Sequence, residues 1–585
     1  MSISIFSGFC TAWKASIREG ISRKGLVGDT IAGIVVGVIS LPLSMAFAIS
    51  AGMSPQSGLY TAIVGGFVAG VFGGSRFQVS GPTAAFVVIL IPIVREYGPA
   101  GLMISTIGAG AVLLLMGLLR WGKLIDFISF PVIAGFTLGI GISVAILQLR
   151  AFFGVVAPPG DTIIHELVNV SSHLSTFSEG DLIVGLFTLL ALFVWSFFFK
   201  NIPAPLVVLP LSCVLGVFLP EWIHLARIST IANHFSTTIN GMTVHGIPPL
   251  CPTFSLPWNF PEGGTFHFTF SNALPLLQGS FTIAILCSIE TLVTAVCGDR
   301  LTGTRHDPNG ELIGHGLASL VAPFFGGFGS SGAIPRTAAN IQAGGKTPWA
   351  SLVHSAFLLA AVLLFARYLG YLPLAAMAAL LIYVAYFMSD IKGCVEIVRN
   401  ATREEGGVLL LCAVLTVLFS MVTAIAAGLI VTSFLFMYKM TEMASTKEGV
   451  EVIHPDQEED SDPLPTNLPE GFRYFKIQGA LFFGSAGRMT SEIKAEEGAK
   501  YVLIDFHDVP LIDSTGISQL KVTIKQLLDR GLVVALTRVQ PIPLVMLRST
   551  IKASFPQVRF FRGNSEAFRI LQTPISEVLP LGSHI

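Results

Sequence analysis

The chain has 585 residues, 52% hydrophobic and 12% charged, about half the roughly 25% charged share usual in a soluble domain. Its mean hydropathy is +0.72, and 35 Lys and Arg against 36 Asp and Glu give a formal net charge of −1. These values exclude an ordinary cytosolic enzyme, a disordered chain and a nucleic-acid binder, which would carry a basic patch.

The charge is unevenly spread. Residues 1–443 hold 20 basic and 19 acidic side chains, and residues 444–585 hold 15 and 17. The charged fraction rises from about 9% to about 23% near Thr446, a composition shift that marks a domain boundary. A polytopic membrane domain is predicted first and a soluble domain after it.

Residues 1–27 form a cytoplasmic N-terminal segment with Lys14, Arg18, Arg23 and Lys24. They contain no short apolar stretch ending in small residues, so no secretory signal peptide is expected. Residues 28–443 form the membrane domain. A bilayer core of roughly 30 Å takes about 20 apolar residues per helix. Apolar segments fall near 29–50, 58–74, 80–96, 100–119, 124–149, 181–199, 204–222, 272–297, 311–328, 333–344, 349–369, 372–388, 405–420 and 421–440, fourteen in all, several too short to span alone. Basic residues test this count, because they concentrate in cytoplasmic loops. With the N-terminus inside, loops after even-numbered segments hold ten, Arg76, Arg120, Lys123, Lys200, Arg300, Arg305, Lys346, Lys392, Arg399 and Arg403. The opposite side holds four, Arg95, Arg150, Arg227 and Arg367. Both termini are therefore expected inside, with the connections 150–180 and 223–270 outside.

One internal echo points to a site. The third segment opens with Ser80-Gly81-Pro82-Thr83-Ala84-Ala85. The tenth opens with Ser331-Gly332-Ala333-Ile334-Pro335-Arg336-Thr337-Ala338-Ala339. Each joins small residues, a Pro suited to a first helical turn and a Thr-Ala run. Each comes third in its set of seven, as inverted repeats would require. A helix that starts at mid-depth leaves free N–H groups and about half a positive charge, tolerable only along a cavity. Two facing starts make an anion pocket, with Ser80, Thr83, Ser331 and Thr337 as further donors. The alternative is two Gly/Pro-kinked helices packed by small residues.

Charges inside the membrane are rare and mostly functional. Glu290 lies in the eighth segment, about 12 Å deep at 1.5 Å per residue. Arg336 lies in the first turn of the tenth. Arg336 is expected to balance the substrate's charge and Glu290 to bind the co-transported cation or proton. The alternative is that the two form a structural ion pair. Asp29 is expected to cap the first helix. Glu96, Asp126, Asp299 and Glu311 read as interfacial charges. Pro42 is expected to kink the first helix, where Phe47 either walls the pocket or packs.

Other motifs yield less. The seven cysteines are scattered without CxxC and read as inert buried thiols. Gly327–Gly332 matches GxGxxG, but apolar helices flank it and no acidic residue follows before Asp390, so it is no dinucleotide site. The twelve histidines form no HExxH, and no metal or cofactor is proposed.

Several runs resemble the SulP anion permeases, the sulfate permease or solute carrier 26 family. They are Pro55-Gln56-Ser57-Gly58-Leu59-Tyr60-Thr61-Ala62, Gly73-Gly74-Ser75-Arg76, Gly81-Pro82-Thr83-Ala84, and Arg336 to Asn340. Ser57 departs from the family's usual Tyr. The resemblance covers essentially the whole chain. It implies an α-helical polytopic protein of fourteen segments in seven-plus-seven inverted repeats, commonly a dimer. A core of helices 1–4 and 8–11 would move against a gate, elevator fashion. It implicates Phe47, Thr83, Ala333, Ile334, Pro335 and Arg336 in binding the anion. Pro335 stands where the family often has Ser, which removes a hydroxyl and an N–H. Glu290 matches the acidic position of helix 8, and Glu there favours protons over Na⁺. The membrane region most resembles a bacterial branch that includes a C4-dicarboxylate (succinate, fumarate) transporter. Other relatives carry sulfate, bicarbonate or chloride.

Residues 444–471 read as an acidic linker. In 472–575, short β-rich runs (472–477, 481–483, 501–506, 532–536) alternate with helical ones (485–497, 517–529), giving a soluble α/β domain. Val502-Leu503-Ile504-Asp505 with Ile512-Asp513-Ser514-Thr515-Gly516 resembles a STAS domain, with 576–585 as a tail. The resemblance makes Ser514 a possible phosphorylation site and the domain a site for a cytoplasmic regulator. Capping of the next helix by Asp513 and Ser514 is the plainer expectation.

The expected protein is a secondary active anion transporter of the inner membrane, carrying sulfate or a C4-dicarboxylate with a proton. Rivals are a bicarbonate or chloride transporter, an exchanger, a passive channel, and a membrane-anchored STAS signalling scaffold.

Overall fold

The computed structural model describes residues 9–123, 129–158, 160, 162–199, 203–223, 228–239, 242–259, 269–400, 402–419, 421–443, 445–448, 471–482, 485–493 and 498–572. Asp126, most of the acidic linker and the tail 576–585 lie outside them. The chain divides into two compact units, Met1–Leu429 and Ile430–Ile585.

In the first unit, seven helical stretches among the described residues are long and apolar enough to cross a membrane: Arg23–Ser50, Ala84–Leu118, Phe130–Phe153, Glu179–Phe198, Asn272–Thr302, Trp349–Leu369 and Leu374–Arg399. The remaining expected segments have shorter apolar stretches, as in Ala204–Ile223 and Met421–Met443, or are short or broken helices. Pro55–Tyr60 runs through a π-helical turn, Thr61–Gly65, into Gly66–Phe72. Pro308–Val321 ends in a 3-10 turn, and Ile334–Gln342 has nine residues. The segments expected at 80–96 and 100–119 form one run that breaks at Gly98, whose φ of +68° is left-handed. Arg23–Ser50 continues through Pro42.

The contacts sort these helices into two bundles. One combines Arg23–Ser50, Gly66–Phe72, Ala84–Leu118, Phe270–Thr302, Pro308–Val321, Ile334–Gln342 and Trp349–Leu369. The other combines Phe130–Phe153, Glu179–Phe198, Ala204–Ile223, Leu374–Met388 and Arg403–Leu418. Without a hydrophobic force between helices in lipid, close packing through small residues takes over. Gly37 shows it: a Cβ there would lie 2.4 Å from the Phe357 ring. The bundles also meet through polar groups. Gln148 Nε2 donates to Ser50 Oγ at 3.1 Å, and Arg95 Nη1 donates to the Gly160 carbonyl at 2.5 Å.

Asp29, expected to cap the first helix, and Glu311, read as interfacial, turn out to be buried clamps. The first helix is capped by Ser22, whose side chain accepts from Gly25 N–H. Asp29, 0% exposed, instead accepts from the N–H groups of Lys346 and Thr347 and from the Thr347 hydroxyl. It thereby fixes the entry to helix Trp349–Leu369. Glu311, read as interfacial, is 2% exposed and accepts from Gly74 and Ser75 N–H at 2.6 and 2.7 Å. Paired backbone donors stabilise a carboxylate away from water. Glu96 is exposed and Asp299 half-buried.

Three helices arise in stretches read as connections: Thr11–Glu19, Ile163–Ser172 and Ile391–Asn400. Each has an apolar stripe and a polar face, which a search for uniformly apolar runs passes over.

The second unit is a five-stranded sheet. Strands Phe472–Gln478, Tyr501–Asp508, Val533–Thr537 and Arg559–Phe561 pair in parallel in that order. Ser445–Glu448, expected within the linker, pairs antiparallel with Phe472–Gln478. Within the 481–483 run, Leu481 forms a bridge to Ile512, and residue 483 lies outside the described residues. Helices Ala486–Ser491, Ser514–Asp529, Pro541–Ser554 and Asn564–Gln572 complete the unit. Asp505, 0% exposed, is held by Arg538 Nη2 at 2.5 Å and by the Tyr474 hydroxyl. Burial, then the Asp505 charge, holds the Tyr474 phenol well above its ordinary value, so it remains a donor. Asp513 accepts from Gly516 N–H at 2.7 Å and caps Ser514–Asp529. Ser514 is the first helical residue, where a phosphate would meet the positive end of the helix.

Candidate functional site

The two Ser-Gly dipeptides of the internal echo meet. Ser80–Gly81 and Ser331–Gly332 form a short antiparallel pair, Ser80 opposite Gly332 and Gly81 opposite Ser331. Helix Ala84–Leu118 starts just after one strand, with Thr83 at its N-cap. Helix Ile334–Gln342 starts just after the other, with Ala333 at its N-cap. The third and tenth segments thus begin at one crossing, as the sequence predicted.

Neither start is closed by its own cap. Thr83 makes no side-chain cap bond, and Ala333 has no polar side chain to offer. Thr83 Oγ1 instead donates to Glu290 Oε2 at 2.8 Å and lies 3.1 Å from Ser331 Oγ. Ser331 Oγ donates to the same carboxylate oxygen at 2.6 Å. Their own N-cap side chains thus do not occupy the first-turn N–H groups at either start, a turn in which Pro335 has no N–H.

Helix Phe270–Thr302 builds one wall, and its spacing explains how. Residues 287, 290, 291 and 294 share one helical face. Cys287 Sγ donates to Ser330 O at 3.3 Å, Thr291 Oγ1 accepts from Gly332 N–H at 3.1 Å, and Thr294 Oγ1 donates to Gly332 O at 3.1 Å. Glu290 sits between them, against the hydroxyls.

Arg336 is 1% exposed, and its Nη2 donates to Ser44 Oγ on the first helix at 3.2 Å. Among the described residues its Nη1 has no hydrogen-bond partner. No ion pair joins Arg336 to Glu290 among the described residues, so the structural-pair alternative is not what the side chains form. Gly81 makes room for the guanidinium: a Cβ there would lie 2.0 Å from Nη1. Phe47 is one turn past Ser44 and 5% exposed. Ile334 and Pro335 are exposed, whereas Ala333 and Thr83 are buried. Thr337 Oγ1 accepts from Val79 N–H at 3.4 Å. The structure therefore gathers Thr83, Ser331, Glu290 and Arg336, with Ser44 and Thr291 added.

Sequence reasoning missed His315, which lies against the same strands. A signal existed: His315 stands four residues after Glu311 in an otherwise apolar run, so both lie on one helical face. A cavity of about 620 Å³, lined by Pro42, Pro205, Leu209, Val217, Phe365 and other apolar groups, lies apart from this polar cluster.

Comparison with known proteins agrees with this architecture. A sulfate permease family model matches residues 26–414, and a STAS domain model matches 464–567. YvdB of Bacillus subtilis is 35% identical over 477 residues, covering 81% of this chain and 84% of that one. The bicarbonate transporter BicA of Picosynechococcus sp. is 31% identical over 536 residues, covering 88% and 89%. The solved murine solute carrier 26 family member A9, an anion transporter in the inward-facing state, superposes with a TM-score of 0.79 at 16% identity, over 96% of this chain and 94% of that one. With two unlinked features in agreement, a crossing of two helix starts in the membrane unit and a STAS sheet after it, the chain belongs to the sulfate permease family of anion transporters.

Proposed function

We propose that this protein is a proton-coupled symporter of a small divalent anion, sulfate or a C4-dicarboxylate. The observation that supports it is the pair of uncapped helix starts facing one crossing, with Glu290 and Arg336 beside it. A divalent anion carries several acceptors for the free N–H groups and for the Thr83 and Ser331 hydroxyls. Arg336 and the two helix ends supply positive potential. Glu290 opposes it. A proton on Glu290 removes that opposition: a unit charge at about 5 Å in an effective dielectric of about 20 is worth about 3 kcal/mol. Anion and proton therefore favour each other at this site, which is the thermodynamic basis of symport.

Bicarbonate is the competing substrate, because the relative BicA is named for it. Uptake by purified protein in liposomes separates these anions. Sulfate, succinate, fumarate and bicarbonate are each offered with and without an inward proton gradient. Gradient-driven accumulation of one anion is expected. Equilibration without accumulation, under every gradient, would mean a channel or exchanger.

Elevator movement of one bundle against the other fits their separate packing and the few polar ties between them. The protein would lie in the inner membrane as a homodimer, with both termini cytoplasmic, the STAS unit being open to a cytoplasmic regulator. The Ser50–Gln148 contact would have to part in each cycle. A Ser50→Cys/Gln148→Cys pair joined by a short thiol cross-linker is expected to lose uptake, and a reducible linker to restore it on reduction. Undiminished uptake in the cross-linked protein would rule the movement out.

A further inference from the structure

The strand crossing is held from two sides. Glu290 and its helical neighbours hold one. On the other stands His315, on helix Pro308–Val321 and 0% exposed. Its Nδ1 lies 3.2 Å from the Ser330 carbonyl. A carbonyl only accepts, so Nδ1 carries the proton. Its Nε2 lies 3.2 Å from Ser80 Oγ, 3.1 Å from Gln78 Nε2 and 3.4 Å from Glu311 Oε1. One imidazole thus touches one strand at Ser80 and, at Ser330, the residue just before the other, each three residues before a helix N-cap: Ser80 before Thr83, and Ser330 before Ala333. Glu311 lies one turn earlier on the same helix. Its other oxygen is fixed by the N–H groups of Gly74 and Ser75, which orients the ring as a carboxylate orients a functional histidine elsewhere.

We propose that His315 is a positioning residue that sets the separation of the two helix starts, an inference that rests on the crossing being the anion site. The ring is rigid, and its two nitrogens bond to the segments leading into different helix starts. Losing it lets each strand shift alone, so an anion that satisfies one helix start falls out of register with the other. The ring contacts the crossing and Glu311 and lies in one bundle only, so translocation of the loaded site is expected to continue at its own rate.

The test is uptake kinetics in liposomes with the anion that wild-type protein accumulates among sulfate, bicarbonate, succinate and fumarate. His315→Ala is expected to raise KM by about 30-fold or more while changing the maximal rate by less than about threefold, the signature of lost ground-state binding. Asparagine places a donor where Nδ1 stood, and glutamine places a polar group where Nε2 stood. His315→Asn and His315→Gln should each keep one contact, raising KM by about three- to tenfold. A merely structural role would lower the yield of folded protein without moving KM. KM within threefold of wild type for His315→Ala, or equal KM in all three variants, overturns the proposal. If the alanine variant does not fold, KM within threefold of wild type in both amide variants overturns it. Thr83→Val separates the two inferences. If it raises KM while His315→Ala does not, the site stands and the positioning role falls. If neither moves KM, the anion binds elsewhere and both fall.

Discussion

Glu290→Gln is expected to abolish gradient-driven accumulation, by about 100-fold or more, a loss equivalent to about 2.7 kcal/mol. Exchange of the anion across the membrane at equal pH should persist. Glutamine keeps an oxygen to accept from Thr83 and Ser331, whose hydroxyls lie 2.8 and 2.6 Å from the carboxylate. The crossing therefore keeps its shape. What glutamine lacks is the ability to exchange a negative charge for a proton. In the wild type, uptake should rise as the loading side is acidified, because the protonated carboxyl no longer opposes the anion. In Glu290→Gln that dependence should be flat. Uptake that still follows the gradient in this variant would move coupling to another group.

Arg336→Ala should weaken anion affinity by about 100-fold, within the roughly 2–5 kcal/mol lost when one partner of a buried charge pair is removed. Arg336 is among the largest fully buried side chains of the chain, and its field is poorly screened there. Removing it also leaves Glu290 as an uncompensated negative charge, so the anion meets repulsion as well as lost attraction. Arg336→Lys should recover only part of the affinity, because an ammonium lacks the planar fork that reaches Ser44 and keeps Nη1 against Gly81. Direct binding by isothermal titration reads this without transport. Unchanged affinity in Arg336→Ala would make the residue a packing element only.

The site's plan was legible because it is written twice. Ser80-Gly81 and Ser331-Gly332, each followed by a helix start, show in the sequence as a repeated phrase, and the structure pairs them. Glu290 and Arg336 were legible because a charge among apolar residues is conspicuous. His315 and Glu311 were not, because helical spacing tells which residues share a face but not what that face meets. Glu311 sits near a segment end, where position along the chain suggests water, yet helix Pro308–Val321 is packed on all sides. Asp29 misled for a related reason. Its type suits a cap, but it instead accepts from backbone N–H groups more than 300 residues away, in the turn before helix Trp349–Leu369. Three of the STAS strands, Phe472–Gln478, Tyr501–Asp508 and Val533–Thr537, were found by their β-rich runs, whereas the three-residue Arg559–Phe561 was too short to show as one. Strand Ser445–Glu448 was not found, because its Ser-Thr-Lys-Glu composition resembles the acidic stretch that follows.

The antiparallel register of the crossing has a consequence for direction. Each serine faces the other strand's glycine, so a half-turn exchanges two identical dipeptides. Viewed from either face of the membrane, the backbone of the crossing presents the same pattern of donors. It has no preferred direction of its own, and an anion arriving from either side would meet equivalent groups. Side chains break the equivalence: Arg336 at one helix start, His315 against one side of the crossing, and Glu290, whose matching stretch of the first helix, Ser40 to Ser50, holds no charge. Polarity of transport would then reside in a few side chains laid over a symmetrical frame, and exchanging those side chains would redirect the machine without rebuilding it.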